Sequence, residues 1–102
     1  MFVHTTVLKV KPENVPAVVD LLTNEKMMAI LRSTQGLSHA YVLESTEEPG
    51  KVISQTFWAS MADARNGFSS PAYTALLGDL RPILIAAPER FSYNLLQDVI
   101  LK

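Results

Sequence analysis

The sequence predicts an α+β fold in which four strands and two helical stretches follow one another as β-α-β-β-α-β. Three observations carry that prediction. Both ends of the chain read as strands, rich in β-branched and aromatic residues. A Pro49-Gly50 turn joins two further strand-like runs in the middle, Pro-Gly being among the strongest turn dipeptides. Two amphipathic stretches, each opened by a capping residue, lie between these strands.

Taken in order, Phe2 to Val10 (FVHTTVLKV) forms the first strand and is stopped by Lys11-Pro12. One register carries His4, Thr6, Leu8 and Val10, and this is the side expected to face the helices. Asn14 is the expected N-cap of the first helix, with Pro16 tolerated in its first turn. Val15, Val18, Val19 and Leu22 fall at helical spacing, and Met27, Met28, Ile30 and Leu31 extend the apolar content. One helix is expected to about Ser33, irregular near Asn24 and stopped by Gly36. Leu37 to Ser45 is the second strand, with Leu37, His39, Tyr41 and Leu43 on one side.

After the turn at Thr46-Glu47-Glu48-Pro49-Gly50, Val52 to Ala59 is the third strand, antiparallel to the second. It ends beside the only tryptophan, Trp58. Ser60 caps the second helix, with Asp63 as an acidic capping-box partner, and Ser70-Pro71 restarts it. Tyr73, Leu76, Leu77 and Leu80 continue its stripe until Pro82. Arg90 to Leu101 is the last strand, with Phe91, Tyr93 and Leu95 alternating. This order is the ferredoxin-like split βαβ arrangement, a four-stranded antiparallel sheet with two helices on one face. The other face keeps apolar residues, so a homodimer with two facing sheets is expected.

Composition narrows the function. The 102 residues make one domain spanning 1–102, 48% hydrophobic and 19% charged. A net charge of −1 gives no basic face for nucleic acid. There is no cysteine, which removes disulfides, thiolate nucleophiles and cysteine-ligated metals. The N-terminal MFVHTT does not read as a signal peptide, and the apolar run Ile83 to Ala87 is far too short to span a membrane. A soluble cytoplasmic protein is expected. No His, Asp or Glu cluster has metal-ligand spacing, and no Gly-rich loop could cradle a phosphate.

Over its whole length the chain resembles the antibiotic-biosynthesis-monooxygenase group of the dimeric α/β barrel superfamily. The resemblance lies in the opening strand ending in LKVKPEN, in Gly36 before the second strand, and in the turn TEEPG. It continues through Trp58-Ala59-Ser60 and Ser70-Pro71-Ala72-Tyr73 to Leu80-Arg81-Pro82-Ile83-Leu84. It implies cofactor-independent oxygenation of a small aromatic compound, a polyketide-like phenol or quinol, in a pocket between sheet and helices. The family's end-of-strand tryptophan is present as Trp58. Gly67 and Ala72 stand where many members carry histidines, and Thr56 where a glutamate is common. The haem-degrading branch needs a ligating histidine where this chain has Leu77, a tryptophan at Gly67 and an asparagine near Thr6, so haem is not implied. The alternative is a non-catalytic or stress-associated barrel that binds a small apolar ligand.

Oxygenation without a cofactor requires a base that takes a substrate proton in a site closed to water. The candidates for catalysis are His4, His39 and Trp58, since an imidazole titrates near neutrality and an indole can stack on an aromatic ligand. Each has a structural reading beside it: His4 half-solvated at a strand start, His39 at a dimer seam, Trp58 as a core anchor. Thr6, Tyr41, Tyr73, Leu77 and Arg81 are the candidates for substrate contact. The expected cavity is lined by Trp58, Thr6, Tyr73 and Leu77, with His4 near its mouth. Gly67 and Ala72 are expected to leave it space.

Overall fold

The computed structural model describes residues 1–102. Along the chain run β1 (Phe2–Lys9), α1 (Val15–Thr23), α2 (Glu25–Arg32), β2 (Leu37–Glu44), β3 (Lys51–Trp58), α3 (Met61–Phe68), α4 (Pro71–Leu80) and β4 (Glu89–Asn94). The strands form one antiparallel sheet in the order β2-β3-β1-β4. This is the ferredoxin-like arrangement. The expected register of β1 holds, because Leu8 and Val10 pack with Val52 of β3 against Val18 and Leu22 of α1 and Leu80 of α4. Burying each such side chain contributes roughly 1.5–3 kcal/mol. No helix is long and apolar enough to cross a membrane.

Each helical stretch is two helices, not one. Asn24 is extended (φ −65°, ψ 167°), and its side-chain oxygen accepts from the Met27 N–H at 2.8 Å. The polar step near Asn24 is therefore a full break with a new cap, which re-aims α2 away from α1. The cap expected at Asn14 is not made; that residue closes a 3₁₀ turn over Pro12–Asn14, and its side chain makes no capping bond. At the second break Ser70 is extended and accepts from the Tyr73 N–H at 3.2 Å, as Ser-Pro predicts. Ser60 accepts from the Asp63 N–H at 3.1 Å. The carboxylate of Asp63 does not return the bond; it lies against Gly36, where the φ of +80° favours glycine.

Two strand expectations also change. Leu37 pairs with Trp58 while His39 pairs with Phe57, so a bulge at Ser38 turns Leu37 to the helix side and leaves His39 on the other. The last strand ends at Asn94 rather than Leu101. Asn94 is already opposite Phe2, and β1 has no residue left to pair with a longer strand. One bond, Leu95 N–H to the Met1 carbonyl, continues the ladder, and residues 95–102 then form no regular structure.

The sheet face away from the helices carries Val3, Thr5 and Val7 of β1, flanked by Phe57 and by Phe91 and Tyr93 of β4. Tyr41, Leu43, Phe91 and Tyr93 are between 43% and 53% exposed. An apolar face of this kind on the outside of a small chain is unusual.

Candidate active-site cavity

A cavity of about 330 Å³ lies between the sheet and the broken helices. His4 and Thr6 of β1 and Thr56 and Trp58 of β3 face it from the sheet; Phe68, Ala72 and Tyr73 line it from α3 and α4. Met27 and Leu31 of α2 close the far side. Because Asn24 breaks the first helical stretch, α2 buries none of its residues fully and presents this apolar edge to the void.

Trp58 is only 3% exposed. Its Nε1–H donates to Thr56 Oγ1 at 2.9 Å, and the Thr56 hydroxyl in turn reaches the His4 carbonyl at 3.4 Å. A buried indole N–H needs such a partner, and Thr56, two residues away on the same strand face, supplies it. The ring is held from the helix side by Gly67 and by Phe68, whose centroid lies 5.4 Å away, edge to face. The space that Gly67 was expected to leave open is thus filled by the indole, since a side chain there would overlap it.

Phe68 is the hub of the aromatic wall. Its ring centroid is 4.3 Å from His4 and 5.0 Å from Tyr73. His4 is half-buried, and its Nε2 is closed off from water with no hydrogen-bond partner. Burial, and then the positive charge of Arg90, hold the His4 imidazole below its ordinary pKa of 6.5, because both disfavour the charged form. The ring is therefore neutral at pH 7, the form that can accept a proton. Past His4 and Phe68 a second recess opens, lined also by Tyr73, Thr74, Leu77 and Arg90.

The expected site residues do not all converge. His4, Thr6, Trp58 and Tyr73 come together around the cavity, while Leu77 borders the second recess instead. The rings of His39 and Tyr41 pack on Phe57, at 5.7 Å each, in the register of Val3 on the opposite sheet face. Both residues border the cavity from β2, but their rings are turned to the sheet face opposite His4 and Trp58. Arg81 sits exposed on a 3₁₀ turn after α4 and borders neither void. Sequence reasoning missed Phe68 and Arg90. Phe68 falls four residues after the buried Ala64 on α3, a spacing that marks it as inward-facing. Arg90 carries no such signal, because its place depends on pairing with Thr6 across the sheet. No group of three or more His, Asp or Glu side chains is arranged to hold a metal ion.

The family model for antibiotic biosynthesis monooxygenase matches residues 1–79. Among solved structures, a candidate antibiotic biosynthesis monooxygenase from Deinococcus radiodurans superposes with a TM-score of 0.82 at 16% identity, covering 100% of this chain and 99% of that one. Rv0793 from Mycobacterium tuberculosis gives 0.79 at 16% identity, with 97% and 98% covered. A conserved protein from Methanosarcina mazei Go1 gives 0.79 at 17% identity, with 90% and 89% covered. At these identities the likeness is one of fold. No protein among those with curated descriptions matches the chain.

Proposed function

The chain belongs to the antibiotic biosynthesis monooxygenase family, and from that premise we propose that it is a cofactor-independent monooxygenase acting on a small aromatic phenol or quinol. The observation that carries this reading is His4 Nε2, buried and unpartnered beside the aromatic wall of Phe68, Tyr73 and Trp58. A buried nitrogen with no partner is costly unless a ligand supplies one. An apolar cavity with few polar groups suits a flat aromatic ring.

In this reading His4 takes a proton from the activated CH₂ or phenol of the bound substrate, and its lowered pKa keeps it ready to do so at neutral pH. The resulting anion gives electrons to O₂, one oxygen atom forms a new C–O bond, and the other leaves as water with the protons released. For an anthrone, CH₂ becomes C=O and one O₂ becomes one H₂O. The protein's part is to orient the ring, hold the proton at His4 and keep water out. The exposed apolar sheet face supports a homodimer, with Phe91 and Tyr93 at the seam.

The test is oxygen uptake against a panel of anthrones and phenols. One O₂ consumed per quinone formed, lost in His4→Gln, is the expected result. A second reading, binding of an apolar ligand without chemistry, is favoured by the depth of Trp58 and its satisfied N–H, which suit an anchor. Ligand-dependent Trp58 fluorescence with no oxygen uptake on any of the panel would decide for that reading.

A further inference from the structure

We propose that the recess between β4 and α4 holds an anionic group of the substrate, a carboxylate carried on its aromatic ring, and that Arg90 selects it. This rests on the cavity being the substrate site. Arg90 pairs with Thr6 across the sheet, so it stands on the helix side with His4 rather than on the open apolar face. No carboxylate of the chain neutralises it, the single ion pair being Lys9 with Glu48. The recess contains no acidic side chain. Around Arg90 it offers the apolar Phe68 and Leu77, the hydroxyls of Tyr73 and Thr74, and the unpartnered His4.

A guanidinium without a partner, beside apolar walls and the Tyr73 hydroxyl, is matched by one planar carboxylate, which it can grip with two parallel N–H bonds. His4, Phe68 and Tyr73 border both the recess and the cavity between sheet and helices. A ligand with its ring against that aromatic wall therefore has its substituent within reach of Arg90. The arrangement also couples binding to chemistry. Arg90 lowers the proton affinity of His4; an anion bound at Arg90 cancels that charge and makes His4 the stronger base.

The experiment titrates the whole protein with 2-naphthoate and with its neutral analogue 2-naphthamide, reading Trp58 fluorescence. Arg90 is itself exposed, so the naphthoate is expected to bind a few-fold more tightly, the size of a charge pair at a solvent-accessible guanidinium. Arg90→Gln should abolish that preference, weakening naphthoate far more than naphthamide, while Arg90→Lys keeps part of it. Arg81→Gln, a cation outside both voids, should leave the preference intact. Equal binding of the two ligands to the wild type overturns the anionic subsite and leaves the cavity standing. So does equal weakening of both by Arg90→Gln, or loss of the preference in Arg81→Gln. If neither ligand alters Trp58 fluorescence, the cavity reading falls and takes this inference with it.

Discussion

Gly67 of α3 lies against the six-membered ring of Trp58, so closely that a Cβ there would come within 2.9 Å of Cζ3 and nearer still to Cη2. The helix and the end of β3 meet at this contact, and the indole is pinned beside the cavity by it. Gly67→Ala should therefore overpack the corner and destabilise the protein by about 1–3 kcal/mol. Thermal unfolding would register this as a drop of several degrees. An unchanged midpoint would mean that the indole can swing aside, and the pinned corner would have to be given up.

The bond from Trp58 Nε1–H to Thr56 Oγ1 leads to a second expectation. Thr56→Val keeps the volume and removes the acceptor, leaving a buried N–H unsatisfied. The cost should be about 1–3 kcal/mol. Thr56→Ser, which keeps the hydroxyl, should recover part of it. Equal stability of the Val and Ser variants in urea would show that the bond contributes nothing.

His4 sets a pH dependence with a definite sign. Its folded pKa lies below the ordinary value of 6.5, so below that pH the unfolded chain takes up the proton first. The contribution to stability is complete above 6.5 and is lost as pH falls through the lower folded value. The charged and titratable groups that share its recess are Arg90 from β4 and Tyr73 from α4. His4→Gln should flatten the fall in stability below pH 6.5 relative to wild type. Removing the Arg90 charge with Arg90→Gln should make the fall smaller, because the folded pKa then rises towards the unfolded one, which is unchanged. Identical pH profiles for wild type and His4→Gln would sink the assignment.

The open sheet face makes a prediction about mass. Light scattering at low micromolar concentration should give twice the chain mass, because an interface covering this face would bury on the order of 2,000 Å². Phe91→Asp should shift the population towards monomer, since a charge would then be buried without a partner. A wild-type monomer at that concentration would refute the facing-sheet dimer.

Much of the candidate site was legible before any coordinates. The even register of β1 and the strand-end tryptophan point to the sheet face and the corner that border the cavity, and Tyr73 follows from the Ser70-Pro71 restart. The reading of His39 at a dimer seam fits its ring's place on the open sheet face, but its register was expected differently. Alternation placed it with Leu37, and a bulge at Ser38 separates the two in the folded sheet. Gly67 was misread for a packing reason, because a glycine opposite a large ring makes room for that ring rather than for a ligand.

The sequence by itself determined the element order, the turn at Gly50, the break at Ser70-Pro71 and the inward face of β1. These are decided within a few residues by capping groups, by the fixed φ of proline and by side-chain alternation. Tertiary structure alone decided where β4 stops, which void Leu77 borders, and that Arg90 stands beside His4. Those outcomes depend on cross-strand register and on helix packing between segments far apart in the chain, so no local pattern carries them.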